Sequence, residues 1–193
     1  SNTLELLDKE IPRLKDKIKS VQLCFSTDPF MYEYPEIQKM SLESIKKLNG
    51  AGIKCTVLTK GILPIELAEL SKENEYGVTL ITTNEAFRKC MEPGSAPWER
   101  RLAALRDLHD AGCKTWVSIE PFPTPNIVRQ DLQVLLEEVN FVDRIIFGRM
   151  NYNTEVTAFA QYKQFFNEKA AEVIKFCTEH GISYHIKEGT ITG

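Results

Sequence analysis

The chain has 193 residues, of which 42% are hydrophobic and 26% are charged, so its composition is that of a globular protein rather than a disordered one. Its net charge of −3 argues against the strongly basic surface that nucleic-acid binding requires. No apolar run approaches the roughly 18 residues that a membrane-spanning helix needs.

Six apolar runs in chain order predict strands that are buried on both faces, as in a parallel sheet. They lie at 21–27, 53–60, 76–83, 114–121, 144–151 and 182–187. Helical patterns separate them at 36–51, 64–74, 98–110, 129–140 and 158–180. Three of the helices end at a glycine suited to the left-handed C′ position, namely Gly52, Gly112 and Gly181. The alternation predicts one α/β domain over residues 1–193, with either an open sheet or a barrel.

Every predicted strand ends in polar side chains, and the carboxyl ends of parallel strands are where such folds bind ligands. A series of six favours a shared polar pocket over independent caps and turns, although Asp28-Pro29 alone resembles a turn. The polar ends are Ser26-Thr27-Asp28, Thr59-Lys60, Thr82-Thr83-Asn84, Ser118 with Glu120, Arg149 with Asn151, and His185, Lys187 and Glu188.

Several common enzyme motifs are absent from the sequence. It contains no P-loop, no G-x-G-x-x-G and no G-x-S-x-G, which excludes several frequent α/β enzyme classes. Its five cysteines are widely spaced without a C-x-x-C pair, and its three histidines form no ligand pattern. The sequence therefore predicts no metal ligands, and reduced core cysteines in a cytoplasmic protein.

An ordered series of motifs from Val21 to Pro125 resembles the radical SAM family, specifically its spore photoproduct lyase-like branch. In that branch one strand ends S-T-D-P, a later strand ends T-K, and a third reads S-I-T-T. An arginine-bearing helix then leads into E-P-G, and a V-S-I-x-P strand with prolines follows. The matching stretches here are STDPF (26–30), TVLTK (56–60), TLITTNEAFRKCMEPG (79–94), ERRLAALRDLHDAG (99–112) and VSIEPFPTP (117–125).

The resemblance implies a parallel (βα)n partial TIM-type barrel, an incomplete (β/α)6 core that lacks the first βα unit. Residues 1–20 would be an N-terminal helical remnant or an added segment. It also implies S-adenosylmethionine at the strand carboxyl ends, beside a [4Fe–4S] cluster. The implied cofactor-binding residues are Ser26, Asp28, Lys60, Thr82, Thr83, Glu120 and Arg149.

The resemblance gives individual roles to part of this set. Ser26 and Asp28 would lie near the methionyl amino group, and Lys60 would reach the methionyl carboxylate. Thr82 and Thr83 would bind the ribose hydroxyls, and the backbone at the end of the V-S-I-E-P strand would flank the adenine. A zwitterionic head group needs a cation and an acceptor, and a ribose needs neutral hydrogen-bonding groups. No catalytic residue is assigned.

The chain lacks the motif that defines the family, C-x-x-x-C-x-x-C, whose three thiolates hold three irons of the cluster. We therefore expect a fragment of a radical SAM enzyme that is inactive by itself, with the cluster segment encoded before Ser1. The rival interpretation is a relative that naturally lacks the cluster. The full-length enzyme would cleave S-adenosylmethionine reductively to a 5′-deoxyadenosyl radical and abstract hydrogen from an unknown substrate.

Two other functions stay open. A cluster-free partial barrel would bind a nucleotide or metabolite through Lys60 and Thr82 without a redox step. A different barrel enzyme, a hydrolase or an isomerase, would use Asp28, Glu120 and His185. The predicted partner is a small-molecule cofactor, with no membrane. The namesake of the branch acts on DNA, but the acidic balance argues mildly against a DNA substrate.

Overall fold

A computed structural model describes residues 2–23 and 27–192 of the chain. The described strands are β1 Ser20–Leu23, β2 Lys54–Thr59, β3 Glu75–Thr79, β4 Lys114–Phe122, β5 Arg144–Arg149 and β6 Ser183–Ile186. The described α-helices are α1 Thr3–Leu14, α2 Pro35–Gly50, α3 Glu85–Met91, α4 Trp98–Asp110, α5 Leu132–Glu138, α6 Thr154–Ala158 and α7 Tyr162–His180, with a 3₁₀ helix at Ile65–Glu69. None of these helices is both long and apolar enough to cross a bilayer.

The chain forms two compact units. The first runs to Val78 and includes Gly94–Thr115, and the second comprises Thr79–Pro93 and the chain from Trp116 onward. β1, β2 and β3 are parallel neighbours in chain order, and so are β4, β5 and β6. The predicted alternation of parallel strands and helices is confirmed. The single domain over residues 1–193 stays a prediction.

A buried hydrogen-bonded network fixes β2 and β3 of the first unit to their neighbouring helices. The Asn74 side chain is fully buried, and its Oδ1 accepts from the backbone N of Cys55 at 2.8 Å. Its Nδ2 donates to Asn49 of α2 at 2.8 Å and to the Tyr76 hydroxyl at 2.9 Å. The Tyr76 hydroxyl in turn donates to the backbone O of Leu67, in the 3₁₀ helix, at 3.2 Å. Because each of these buried polar groups has partners, the start of β2 is held in a fixed place.

Aromatic packing supports β4 and β5 in the second unit. The rings of Phe122 and Phe147 have centroids 5.4 Å apart, and the Phe165 ring of α7 stacks at 6.3 Å from Phe122. Phe122, Phe147 and Phe166 are almost fully buried. Aromatic pairs of this kind each add about 0.5–1.5 kcal/mol beyond the apolar area they bury.

Three local differences separate the predicted elements from the observed ones. The predicted helix at 64–74 is only a 3₁₀ helix, because Leu70 adopts an extended backbone and the Ser71 backbone N donates to Asn49 instead. The short helix α6 was not predicted. β3 ends at Thr79 rather than at residue 83. The three predicted C′ glycines are confirmed, since Gly52, Gly112 and Gly181 have φ values of 77°, 78° and 69°.

Candidate cofactor-binding site

The Asp28 carboxylate fastens the chain after β1 to the end of β2. Its Oδ1 accepts from the backbone N of Phe30 at 2.9 Å and from the Thr59 hydroxyl. Its Oδ2 accepts from the backbone N of Lys60 at 2.6 Å. A carboxylate has about four acceptor positions, so three protein donors leave about one for a ligand. Ser26, the other predicted partner of the methionyl amino group, lies outside the described residues.

Gly61, two residues after the end of β2, has no room for a side chain. A Cβ at this position would come 1.7 Å from the backbone O of Phe30 and 3.2 Å from Thr59 Oγ1. The Gly61 backbone N donates to Thr59 Oγ1 at 2.8 Å. The residues Asp28, Phe30, Thr59, Lys60 and Gly61 therefore form one close-packed group, the Asp28 clamp.

The Asp28 clamp holds the backbone of Lys60 on both sides. In addition to the bond to Asp28, the backbone O of Lys60 accepts from the backbone N of Ala96 at 2.9 Å. Lys60 is half-buried at the end of β2, whereas Thr59 and Phe30 are almost fully buried. The rigid backbone thus fixes the point from which the lysine side chain leaves the sheet.

In the second unit, Thr82 and Thr83 lie in the turn that follows β3. Thr82 is 1% exposed, and its Oγ1 accepts from the backbone N of Asn84 at 3.0 Å. The Asn84 side chain caps α3 by accepting from the backbone N of Phe87 at 3.1 Å. Thr83 is half-buried. The Thr82 hydroxyl keeps its own proton for donation while it accepts from Asn84.

Glu120 lies near the end of β4, against the neighbouring strand. A Cβ on Gly148 of β5 would come 2.8 Å from Glu120 Cδ and 2.9 Å from its Oε1, so this glycine admits the carboxylate. Glu120 Oε2 is 3.4 Å from the ammonium of Lys187, just after β6. The Glu120 side chain is 26% exposed and the Lys187 side chain 45% exposed, so this ion pair is partly solvated.

Arg149, at the end of β5, is held by hydrogen bonds at its backbone and at its guanidinium. Its backbone N donates to Thr190 Oγ1 at 3.3 Å, and its Nε donates to Asn151 Oδ1 at 2.7 Å. Arg149 lines a cavity of about 420 Å³ together with Tyr152 and Tyr162. Sequence reasoning named Arg149 but missed this cavity, for which the only signal was the turn-forming Asn151 and Asn153.

The described cysteines are buried thiols or isolated surface residues rather than metal ligands. Cys55, Cys90, Cys113 and Cys177 are all free. Burial raises the pKa of Cys55 to about 12 and that of Cys177 to about 11, which keeps both thiols protonated at neutral pH. No group of three His, Cys, Asp or Glu side chains within residues 2–23 and 27–192 could hold a metal ion.

The structure brings some of the predicted site residues together within each unit. In the first unit, Asp28 and the Lys60 backbone are in direct contact. In the second, Glu120 lies against Gly148, the residue before Arg149. Lys187, which the sequence offered only as a polar strand end, proves to be the partner of Glu120. His185, part of the predicted hydrolase alternative, is exposed in β6.

Comparison with known proteins identifies similar chains. A family model described as the radical SAM superfamily matches residues 1–139. The uncharacterized protein ORF301 of Acidianus two-tailed virus is 29% identical over 135 residues, which cover 68% of this chain and 44% of the viral protein. The chain thus spans less than half the length of that curated relative.

Solved structures share the fold at low sequence identity. The chain resembles Streptococcus suis SuiB, solved bound to S-adenosylmethionine, with a TM-score of 0.59 and 15% identity over 94% of this chain and 42% of that one. A spore photoproduct lyase mutant gives a TM-score of 0.60 and 13% identity over 93% of this chain and 64% of the lyase. Another lyase mutant, solved with S-adenosylmethionine and a dinucleoside spore photoproduct, gives 0.58 at 12% identity. These likenesses, with the parallel strands, confirm the predicted fold class of a partial radical SAM barrel.

Proposed function

Because the chain belongs to the radical SAM superfamily, we propose that it forms the S-adenosylmethionine-binding part of a radical SAM enzyme. In this class of enzyme, S-adenosylmethionine supplies a 5′-deoxyadenosyl radical that abstracts hydrogen from the substrate. The observation that carries the proposal is the Asp28 clamp, which lies inside the matched residues 1–139 and presents a fixed lysine at a strand end.

The residues of the clamp suit the amino-acid end of S-adenosylmethionine. Lys60 supplies a cation for the methionyl carboxylate, and Asp28 keeps about one acceptor position for the methionyl ammonium. Asp28 also acts on Lys60 through the backbone bond at 2.6 Å, so it positions the lysine as well as contacting the ligand. The methionyl end of S-adenosylmethionine is a zwitterion, so it requires one positive and one negative protein group. Lys60 and Asp28 provide these two charges.

The predicted residues of the second unit suit the hydroxyls of a ribose. Thr82 offers a hydroxyl that is already oriented by its bond to Asn84. Thr83 and Glu120 offer further acceptors for ribose hydroxyls, and Glu120 is held against Gly148. The assignments of Thr82, Thr83 and Glu120 to the cofactor are proposals that rest on residue type and motif position.

The described residues do not fit a [4Fe–4S] cluster. The sequence has no C-x-x-x-C-x-x-C motif, and the described residues contain no group of metal-ligating side chains. A cluster needs thiolates, whereas burial keeps Cys55 and Cys177 protonated. We therefore assign no step to a cluster in this chain and propose that the chain by itself is inactive. Anaerobic reconstitution should give no thiolate-to-iron absorption, and a strong band of that kind would contradict this proposal.

A titration under metal-free conditions tests the binding proposal. We expect saturable, calorimetrically measured binding of S-adenosylmethionine to the chain. Lys60→Met should weaken that binding at least about tenfold, which corresponds to about 1.4 kcal/mol for the lost charged contact. Lys163→Met, which removes an exposed lysine of α7, is the matched control and should bind as the wild type does.

The outcomes separate the candidate functions. No saturable binding, or equal binding by the Lys60→Met variant and the wild type, would overturn the proposal. Binding of adenosine as tight as that of S-adenosylmethionine would favour a nucleotide-binding module without the methionyl contacts. The mild charge argument against a DNA substrate and the cytoplasmic location both stay predictions.

A further inference from the structure

The cavity beside Arg149 lies past the carboxyl end of β5. It is lined by residues 149–154, Val156, Thr157 and Tyr162, so the turn after β5, α6 and the start of α7 all contribute. Its volume of about 420 Å³ falls within the range of pockets that hold small molecules, about 300–1,000 Å³. Met150 and Val156 are buried apolar walls, while Tyr152 and Tyr162 add aromatic surface.

Arg149 contributes a positive charge to the lining of this cavity. No carboxylate among the described residues forms an ion pair with it. Among the described residues, Arg149 donates hydrogen bonds to Thr190 from its backbone N and to Asn151 from its Nε. The nearby Gly189 leaves space beside the guanidinium, since even an added Cβ there would lie at an ordinary contact distance of 3.7 Å from Arg149 Nη2. The terminal N–H groups of the fork therefore remain available for the planar oxygen pairs of a carboxylate or a phosphate.

Tyr152 is held in an unusual conformation at the rim of the same cavity. Its φ is 55°, a left-handed value that costs a residue with a Cβ roughly 1–2 kcal/mol. Both neighbours are anchored, because Asn151 accepts from Arg149 and the Asn153 side chain accepts from the backbone N of Glu155 at 2.9 Å. The Tyr152 side chain is fully exposed, so its position is not explained by burial. Strain of this kind, maintained by fixed neighbours, is typical of ligand-binding turns.

We propose that this cavity binds an oxoanion, a carboxylate or a phosphate, carried on an aromatic or apolar body. Arg149 binds the anion, and Tyr152 covers the body against the wall formed by Met150, Val156 and Tyr162. The assignment of this ligand as the substrate that loses hydrogen rests on the proposed function. It replaces the role predicted for Arg149 in the cofactor site.

Binding of phenyl phosphate and benzoate, measured without S-adenosylmethionine, tests the proposal separately from the cofactor site. Arginine side-chain NMR resonances of the labelled chain are followed during each titration, with Arg149→Lys used to assign the Arg149 signal. We expect the Arg149 Nε–H signal to shift saturably with at least one of the two probes. Arg149→Gln should weaken that binding at least tenfold, whereas Arg129→Gln, an exposed arginine of the same unit, should not.

Each further arm of the experiment decides a part of the proposal. A response to only one probe identifies the anion as phosphate or carboxylate, and a response to both supports the shared chemistry. Tyr152→Ala changes a fully exposed side chain, so it should leave folding intact and weaken the aromatic probe several-fold. Four outcomes overturn the proposal: no saturable shift, equal binding by Arg149→Gln, equal binding of neutral benzyl alcohol, or inorganic phosphate binding as tightly as phenyl phosphate. None of these outcomes bears on S-adenosylmethionine binding, which the Lys60 titration measures independently.

Discussion

The carboxylate of Asp28 accepts a hydrogen bond of 2.6 Å from the backbone N–H of Lys60, 32 positions later in the chain. The same carboxylate accepts from the Phe30 backbone and from the Thr59 hydroxyl. A turn residue in the sequence is therefore a tertiary link between the chain that follows β1 and the end of β2. Its removal should affect both the stability of the first unit and the position of the lysine.

Asp28→Asn tests this link. The NH₂ group of asparagine would face a backbone N–H that Asp28 now accepts from, so at least one buried N–H would lack its acceptor. The remaining bonds would no longer be strengthened by the carboxylate charge. We expect the free energy of unfolding, from urea titration, to fall by about 1.5–3 kcal/mol, and binding of S-adenosylmethionine to weaken as well. Asp131→Asn is the control, because Asp131 caps α5 through one exposed bond and asparagine caps as well as aspartate. Equal stability of the Asp28→Asn variant and the wild type would show that the clamp is not structural.

Gly61→Ala tests the close approach beside the clamp. The added Cβ would meet the backbone O of Phe30 at 1.7 Å, and a backbone atom cannot turn aside as a side chain can. We expect a loss of about 1–3 kcal/mol or more in the free energy of unfolding, as for other overpacked positions. Calorimetric unfolding measures it.

Gly50→Ala is the matched glycine control. Gly50 is the last residue of α2, and a Cβ there would meet nothing within 4 Å. Alanine should therefore stabilise the chain, by about 0.4–1 kcal/mol, through the reduced entropy of the unfolded state. A Gly61→Ala variant as stable as Gly50→Ala would contradict the described approach of Phe30.

The parallel strands were predictable because their apolar runs are long. The glycines that end the intervening helices also mark the left-handed position at which a helix stops before the next strand. The structure of the 64–74 segment was not predictable. Its apolar spacing suits a helix, but the Asn49 side chain, which is distant in sequence, accepts a hydrogen bond from the Ser71 backbone N. Local periodicity contains no information about such a partner. The 3₁₀ helix at Ile65–Glu69 is what remains of the predicted helix.

For the site residues too, one part was predictable from the sequence and another part was not. Their residue types and their positions at strand ends were visible in the sequence, since Asp28, Lys60 and Arg149 each follow an apolar run. Their partners were not, because the Lys60 backbone, Lys187 and Thr190 come next to them only through the fold. The left-handed Tyr152 also could not be predicted, because nothing in the residue itself favours a φ of 55°.

Glu120→Gln tests whether this carboxylate serves a ligand or only the fold. Its pair with Lys187 spans 3.4 Å and is partly exposed, so its loss should change the free energy of unfolding by at most about 1 kcal/mol. Binding of S-adenosylmethionine, measured by calorimetry, should nevertheless weaken several-fold if Glu120 accepts from the ribose as proposed. Lys187→Gln removes the same ion pair and is the control. Equal binding by both variants and the wild type would exclude Glu120 from the ligand site.

The buried thiols predict a loss of stability in alkaline solution. Burial raises the pKa of Cys55 from 9.0 to about 12 and that of Cys177 from 9.0 to about 11. Above pH 9 the unfolded chain releases protons that the folded chain still holds, so the free energy of unfolding decreases as pH rises. Each thiol contributes a slope of up to about 1.4 kcal/mol per pH unit, which ends near its folded pKa. Burial also raises the pKa of Tyr76, which adds a change of the same sign above pH 10.

Urea titrations between pH 8 and about pH 11 measure this slope. The Cys55→Ala and Cys177→Ala double variant should lose most of the decrease between pH 9 and 10, before Tyr76 contributes. Val57→Ala, which shortens a fully buried side chain that has no ionisable group, should keep the wild-type slope. The comparison uses slopes because the cavities left in the core lower stability equally at every pH. An unchanged slope in the double variant would mean that these thiols ionise in the folded chain as readily as in the unfolded one.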